Sequence, residues 1–230
     1  MAWDFEAGEI LLFDKPLQWT SFDVVNKVRH LIRQKIGKKL KVGHAGTLDP
    51  LATGLLIVCT GAKTKIIDSI QNSDKHYLGE MLLGETTPSF DAETAVDHTF
   101  PTTHITEEMV HTTAQTFLGA QLQVPPIYSA IKVGGKKMYE QARKQKIASD
   151  HVLEPRPVVI HQLAVLHTDL PKVGFHVHCS KGTYIRSLVR DWGTRLGSGA
   201  YMTALARTQI GEFTLAQALS LADFEAQLKG

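Results

Sequence analysis

The amino-acid sequence predicts an α+β fold with a mostly antiparallel mixed sheet flanked by helices and loops. Strand-like and helix-like hydrophobic patterns are mixed without regular βαβ alternation, which argues against a parallel α/β sheet. The chain has 230 residues and a hydrophobic content of 43%, enough to bury a core. No internal repeat or linker divides it, so we expect a single domain over residues 1–230, with a lobe inserted at about residues 84–150.

The first third of the chain predicts a buried strand, a basic amphipathic helix and a loop rich in glycine and proline. Thr20 or Ser21 can cap the helix, because a hydroxyl at this position accepts from a free backbone N–H of the first turn. The apolar positions that share one face of this helix are Phe22, Val25, Val28 and Ile32. The elements expected here are a strand over 9–14, the helix, the loop over 43–54, a strand over 55–60 and a short helix over 63–70.

The remaining two thirds predict further strands and two longer helices. Thr106 can cap one helix, which runs to Leu118 and is closed by Gly119; the other spans residues 184–196 and ends at Gly197. Residues 84–104 are polar and loop-like. The other expected elements are strands over 76–83, 130–133, 158–166, 175–179 and 201–206, a turn at 134–135 and a helix over 137–144.

Charge is distributed unevenly although the formal net charge is only +2. No acidic residue lies between Asp23 and Asp49, and two segments are strongly basic. The first contains Lys27, Arg29, Arg33, Lys35, Lys38, Lys39 and Lys41, and the second Lys132, Lys136, Lys137, Arg143, Lys144 and Lys146. A single basic cluster is explained equally well by a solvated helix face as by a binding surface. Two clusters, each beside a glycine-rich loop, indicate a polyanionic partner.

Several classes of protein are disfavoured by the sequence. Cys59 and Cys179 lie in apolar, strand-like contexts, which predicts two buried thiols rather than a disulfide. The acidic N-terminus and the absence of a long apolar run predict a soluble, cytoplasmic protein. His176 and His178 alternate along one strand face without an acidic cluster, so we expect no metal. No phosphate-binding loop or nucleophile elbow is present, and we expect no cofactor.

The loop over residues 43–54 presents an acidic side chain from a stiff turn. Asp49 precedes Pro50, which restricts its backbone to the extended region. An Asp-Pro pair in a loop is commonly only a turn former. Here the loop follows a basic helix, and no second carboxylate lies nearby to form a glycosidase pair. His44, in the same loop, can be a base, a metal ligand or a structural hydrogen-bonding residue.

A second candidate segment, over residues 180–186, is a predicted turn from a strand into a helix. The start of a helix offers free N–H groups and positive potential, which suit a phosphate or carboxylate. Arg186 in the first turn opposes the helix dipole, so we expect a carboxylate from another loop to pair with it. Tyr184 can stack on a base. An ordinary strand-to-helix turn explains the segment equally well.

Four ordered blocks of this sequence resemble the TruB-type pseudouridine synthases. The blocks are Gly43-His-Ala-Gly-Thr-Leu-Asp-Pro-Leu-Ala-Thr-Gly54, Lys75-His-Tyr77, Pro125–Lys132 with Gly135–Arg143, and Ser180-Lys-Gly-Thr-Tyr-Ile-Arg186. The resemblance runs from about residue 10 to residue 213 and implies the pseudouridine synthase fold. Lys15-Pro16 resembles the first block of the family, but Gln18 and Trp19 stand where glycine and a small or apolar residue are expected.

The resemblance also implies roles for individual residues. Asp49 matches the catalytic aspartate, and Arg186 matches the arginine that pairs with it. Tyr77 matches the tyrosine that stacks on the target base, while Tyr184 and Leu205 match residues that line the uridine pocket. The histidine that supports the flipped-out nucleotides corresponds to His44. Residues expected to contact the RNA backbone are Lys15, Lys38, Lys39 and Lys132.

By this resemblance the protein isomerises a uridine in the T-loop of tRNA, at position 55, to pseudouridine. It is expected to work without cofactor, metal or protein partner, as a monomer, and to lack the C-terminal PUA-type domain of many bacterial relatives. Two alternatives stay open. One is a guide-RNA-dependent synthase resembling the dyskerin branch, and the other is a non-catalytic RNA-binding module.

Overall fold

A computed structural model describes residues 3–129, 132–133, 136–137 and 153–229, with backbone only for residues 132, 133, 136 and 137. The chain divides into two compact units. The first comprises Met1–Leu78 and Leu205–Gly230, and the second comprises Gly79–Ala204. The predicted inserted lobe over residues 84–150 falls within the range of the second unit. No helix in the described ranges has the length and apolar character that a membrane span requires.

The first unit is built from residues of both ends of the chain. Its strands are β1 (Ile10–Lys15), β2 (Val42–His44), β3 (Ala52–Thr60), β13 (Phe213–Thr214) and parts of β4 (Lys75–Leu83) and β12 (Ala200–Ile210). Its helices are α1 (Ser21–Ile36), α2 (Ile67–Asn72) and α5 (Leu221–Lys229), with 3-10 helices at Gly61–Ile66 and Leu215–Gln217. β3 is the buried centre of this unit, because almost every one of its side chains is covered.

The second unit contains the rest of β4 and β12. Its other strands are β5 (Glu85–Thr86), β6 (His98–Thr99), β7 (Gly119–Gln123), β8 (Lys132–Val133), β9 (Lys136–Lys137), β10 (Arg156–Asp169) and β11 (Lys172–Cys179). Its described helices are α3 (Glu107–Gln115) and α4 (Ile185–Arg195). β10 pairs antiparallel with both β7 and β11.

Strand pairing in the described residues is mostly antiparallel, and a parallel pair of strands lies near the candidate site. β3 pairs antiparallel with β1 at residues 54–59 and with β2 at residues 58–60. At its other end β3 pairs parallel with β12, where Leu205, Ala206 and Arg207 lie opposite Ala52, Thr53 and Gly54. This mixed, mostly antiparallel sheet with flanking helices confirms the predicted α+β class.

Helix α1 begins and ends as its sequence predicts, and its buried face includes Val25, Val28 and Ile32 as expected but not Phe22. The Thr20 hydroxyl caps the helix in a capping box with Asp23, and Gly37 closes it in the left-handed region. Phe22 is 60% exposed, so its assignment to the buried face was wrong. The stripe begins instead at Ser21, whose hydroxyl bonds to the backbone of Leu48, and the next residue therefore projects away from the core.

Other differences concern element boundaries. The predicted 43–54 loop is shortened at both ends, because β2 includes residues 43–44 and β3 begins at residue 52. The predicted 63–70 helix is a 3-10 helix followed by α2, and the polar stretch 84–104 contains β5 and β6. Lys137 belongs to β9 rather than to the start of a helix, and the rest of the predicted 137–144 helix lies outside the described residues.

Both cysteines are free and fully buried, which confirms the predicted buried thiols. Burial raises the pKa of Cys59 to about 11, so this thiol is protonated at neutral pH in the folded protein. We expect an aromatic disulfide reagent at pH 8 to label neither cysteine in the native protein and both after denaturation. Rapid labelling of the native protein would contradict the buried placement of these strands.

Candidate active site

The loop that carries Asp49 connects β2 to β3 and is fastened on both sides. Before the acid, the Ala45 N–H donates to Ile57 O at 2.8 Å, and the Leu48 N–H donates to the Ser21 hydroxyl at 2.8 Å. After it, the Ala52 N–H donates to Asp49 O at 3.1 Å and closes a turn. The sequence-predicted stiff turn is therefore present, with helix α1 and strand β3 as its supports.

Lys15 lies beneath this loop and is fully buried. Its ammonium group donates to Trp19 O at 2.6 Å, Pro16 O at 3.0 Å and Pro50 O at 3.3 Å. This placement corrects the expectation that Lys15 contacts the RNA backbone, because an unexposed ammonium with its donors directed at carbonyls cannot reach a phosphate. Sequence patterns could not reveal this, since lysine is rarely buried without a partner.

The charge of Lys15 is coupled to that of Asp49. Burial lowers the pKa of Lys15 to about 8, and the negative charge of Asp49 opposes this shift. Attraction between two charges is mutual, so the ammonium also favours the ionised carboxylate. Within the first unit, Asp49 thus lies close enough to a buried cation, Lys15, for their charges to interact.

His44 occupies the end of β2, opposite Val58. Its carbonyl accepts from the Gln71 amide at 3.5 Å, and its ring Nδ1 is buried without a hydrogen-bond partner among the described residues. Burial and the charge of Arg207 lower the pKa of His44, although the Gly46 backbone opposes the shift. The imidazole is therefore neutral at physiological pH.

Tyr77 in β4 and Leu205 in β12 contribute the apolar part of the first unit's candidate site. Each is only 8% exposed. Leu205 is fixed by its pairing with Ala52, and its carbonyl accepts from the Thr53 hydroxyl at 3.4 Å. The Tyr77 hydroxyl accepts a hydrogen bond from Arg207. Only a small part of the Tyr77 ring is exposed to solvent, so most of its surface packs against other residues of the protein.

Arg207 was missed by the sequence analysis. It is 1% exposed, and its guanidinium donates to Leu55 O at 2.9 Å, Gly46 O at 3.1 Å and Thr47 O at 3.4 Å. The available signal was its position two residues after Leu205 in a strand, since alternate residues share a face. An arginine on the buried face of a strand needs acceptors, and the glycine-rich loop provides them.

In the second unit, Arg186 is buried at the start of α4. It donates to Ser89 O at 2.9 Å and to Tyr128 O at 2.7 Å, and its Nε lies 3.6 Å from the carboxylate of Asp91. The sequence predicts that a carboxylate from another loop pairs with Arg186, and within this unit Asp91 provides that carboxylate. Pairing between Arg186 and Asp49 stays a prediction. No pattern in the polar stretch around Asp91 distinguished it from its neighbours.

Tyr184 immediately precedes α4, where the buried Gln123 amide holds its backbone. The Gln123 side chain accepts from the Tyr184 N–H at 2.8 Å and donates to its carbonyl at 3.1 Å. The same segment is held one turn later, where the Ser187 hydroxyl donates to Val124 O at 2.8 Å. These bonds set the backbone from which Tyr184 and Arg186 project.

The predicted RNA-backbone lysines differ in their surroundings. Lys38 is exposed and pairs with Glu6 at 2.7 Å, while Lys39 is exposed without an acidic partner among the described residues. The side chain of Lys132 and most of the second basic cluster lie outside the described residues. Lys27 of the first cluster pairs with Glu225 at 2.8 Å. Part of the basic stretch is therefore neutralised by acids of the same unit.

Comparison with known proteins identifies close relatives. The TruB family pseudouridylate synthase N-terminal domain matches residues 30–185, and the tRNA pseudouridylate synthase B C-terminal domain matches residues 186–229. The tRNA pseudouridine synthase B of Parabacteroides distasonis is 55% identical over 94% of this chain and 92% of that protein. That of Flavobacterium johnsoniae is 48% identical over 98% of both chains.

Solved structures share the fold. A chain of a Cbf5-Nop10-Gar1 complex is 27% identical with a TM-score of 0.71, and one of an archaeal box H/ACA sRNP Nop10-Cbf5 complex is 24% identical with a TM-score of 0.68. The match covers 96% and 97% of this chain but only 54% of each solved chain, so this protein spans about half their length. Given the matched domains and these relatives, the chain belongs to the TruB family of pseudouridylate synthases.

Proposed function

We propose that this protein converts a uridine in the T-loop of tRNA, at position 55, to pseudouridine, with Asp49 as its essential carboxylate. The observation that carries the proposal is the Asp49 loop, held between Ser21, Lys15 and β3 in a chain about half identical to proteins named tRNA pseudouridine synthase B. The isomerisation breaks the glycosidic bond, rotates the uracil and rejoins it through C5.

The chemistry requires an anion near the ribose and a base outside its stack. Asp49 either attacks C1′ or removes the C2′ proton, and both routes need the ionised carboxylate. When C5 bonds to C1′ it releases its proton to solvent, and N1, which has lost its bond to C1′, takes up a proton. The atoms and electrons of substrate and product are therefore equal, and the reaction is balanced without a cofactor. Extruding the uridine costs a few kcal/mol. Stacking on Tyr77 offsets about 1–3 kcal/mol of this cost, with Leu205 and Tyr184 completing the pocket.

The proposal also concerns the partner. The enzyme acts on tRNA directly, as a monomer that needs no protein subunit, while His44 supports the displaced loop nucleotides and Arg186 pairs with Asp49. Exposed lysines at the end of α1 contact phosphates, which position an RNA without reading its sequence. This reading favours a soluble, cytoplasmic enzyme.

The deciding experiment incubates purified protein with a T-arm stem-loop in the absence of any guide RNA. We expect one pseudouridine at the position that corresponds to uridine 55, mapped by carbodiimide labelling and primer extension. A stem-loop with cytidine at that position is the control. Conversion only with an added guide RNA would support the guide-dependent alternative, and tight binding without conversion would support a non-catalytic module.

Lysines 38 and 39 test the proposed phosphate contacts. Replacing both with alanine is expected to weaken binding of the stem-loop and to flatten the plot of log affinity against log salt by about one to two units, because each lost phosphate contact lowers the slope by about 0.9. Lys229→Ala is the matched control, since Lys229 is also exposed and also pairs with a glutamate, Glu225, at 2.8 Å. An unchanged slope in the double variant would exclude this surface.

A further inference from the structure

Arg207 is a buried cation whose contacts converge on the loop that carries Asp49. Its Nε is bonded to Leu55 in the rigid strand β3, and its two terminal nitrogens are bonded to the carbonyls of Gly46 and Thr47. These carbonyls precede Asp49 by only three and two residues. A single side chain therefore connects the residues before Asp49 to the sheet, whereas the Lys15 ammonium bonds to Pro50, the residue after it.

The geometry of guanidinium makes this connection stiff. Its donors lie in one plane at fixed angles, unlike the rotating donors of an ammonium group. Three carbonyls bonded to such a fork are set relative to one another as well as to the fork. The loop can shift relative to β3 only if at least one of these bonds to Arg207 breaks.

The fourth hydrogen-bond partner of the Arg207 guanidinium is the hydroxyl of Tyr77, which accepts from it. Arg207 thus links the loop of the proposed catalytic carboxylate to the ring proposed to stack on the uracil. Both groups and the arginine belong to the first unit.

The glycines of the loop make room for this arrangement. A Cβ on Gly54 would lie 2.4 Å from Arg207 O and 2.8 Å from Arg207 N, which is closer than atoms can approach. A Cβ on Gly46 would lie 3.4 Å from the guanidinium, and its φ of 101° is itself a conformation that favours glycine. Gly54 is therefore explained by the close approach of the Arg207 backbone, whereas Gly46 is explained by its own φ, since 3.4 Å is an ordinary contact distance.

Fold stability alone does not account for a cation at this place. Within the described residues, the guanidinium bonds to three carbonyls and a hydroxyl and to no carboxylate. Burial lowers the pKa of Arg207, and the bond to Tyr77 opposes the shift. A buried charge without a carboxylate partner is less favourable than a well-packed apolar side chain. We therefore expect that this arginine is retained for a functional reason and not for stability.

We propose that Arg207 is a positioning residue that holds the Asp49 loop and the Tyr77 ring in one fixed relation. The inference rests on the proposed function, in which both groups act on a single extruded uridine. A displacement of about 1 Å between cooperating groups can slow a reaction by about 100-fold. Arg207 acts through its two neighbours and does not itself touch the nucleotide.

The test is Arg207→Lys, which keeps the positive charge and loses the planar fork. The measurement is the single-turnover rate constant at saturating enzyme, which does not depend on the folded fraction, together with the dissociation constant of the T-arm stem-loop. We expect the rate constant to fall by about 30- to 100-fold and affinity to stay within about threefold of wild type. A rate constant within threefold of wild type would overturn the proposal.

Arg195→Lys is the matched control, because Arg195 is exposed and stacks on Phe117 in the second unit. It is expected to leave both constants unchanged.

If Arg207→Lys does not fold, Tyr77→Phe provides the test, because it removes only the hydroxyl that contacts Arg207. A single-turnover rate constant equal to that of wild type would then overturn the proposal. In the double variant Arg207→Lys/Tyr77→Phe, the fall in the rate constant should be smaller than the product of the two single falls, since both changes break the same contact. A fully multiplicative loss would refute the link.

Failure of this inference is distinct from failure of the proposed function. If the wild-type enzyme makes no pseudouridine in the stem-loop, the proposed function and the role of Arg207 both fall. If the wild type is active and Arg207→Lys is equally active, the proposed function stands and only the positioning role is overturned.

Discussion

Asp49→Asn is expected to fold and to bind the T-arm stem-loop but to form no detectable pseudouridine. The amide has the shape of the carboxylate without its charge, so it can neither attack C1′ nor remove the C2′ proton. Its effect on stability should be small. Loss of the attraction to Lys15 is worth on the order of 1 kcal/mol, or about 2–4 °C in the thermal midpoint for a chain of this size.

Tritium release from uridine labelled at C5 measures this loss with high sensitivity. Asp14→Asn is the matched control, because Asp14 also lies close enough to affect Lys15 and its oxygen accepts from the Gly54 N–H at 3.1 Å. An asparagine oxygen can accept the same bond, so we expect activity within about threefold of wild type. Measurable turnover by Asp49→Asn would remove Asp49 from its proposed role.

Replacing Tyr77 with leucine is expected to slow the single-turnover rate by about 10- to 100-fold relative to replacing it with phenylalanine. Phenylalanine can stack on the uracil whereas leucine cannot, and stacking contributes about 1–3 kcal/mol per base. Both variants fill the buried space, and both lose the hydroxyl contact with Arg207. Their thermal midpoints should therefore lie within a few degrees of each other.

This pair of variants replaces the simpler change to alanine. Tyr77 is largely covered, and truncating a buried aromatic ring costs about 3–5 kcal/mol of stability. Alanine would therefore lower stability and activity together, and the two effects could not be separated. Equal rate constants for the leucine and phenylalanine variants would show that Tyr77 acts as a core residue and not as a stacking surface.

Local sequence rules predicted much of the first unit because they describe interactions between near neighbours. The Thr20 cap and the glycine that ends α1 depend on bonds within one helical turn, and both are present. The expectation of a glycine at position 18 also has a local cause. Gln18 has a φ of 68°, in the left-handed region that glycine prefers, while its N–H donates to Pro50 O at 2.8 Å.

Predictions that depended on distant contacts were less successful. Phe22 fits an apolar helical stripe, yet the bond from Ser21 to Leu48 turns it to solvent. Residue type alone predicts that Lys15 is exposed, yet its ammonium group is buried and bonds to three carbonyls from separate positions in the chain. Hydrophobic periodicity carries no information about such acceptors, because they are backbone atoms that every residue possesses.

By itself, the sequence determined the α+β class, the position of the stiff Asp49 loop and the family to which its motifs belong. These depend on short-range patterns and on ordered blocks of residues. Only the tertiary structure decided which charges surround that loop. Lys15 and Arg207 reach it from strands that are 192 positions apart in the chain, and burial converts both from ordinary basic residues into hydrogen-bonded supports for the loop that presents Asp49.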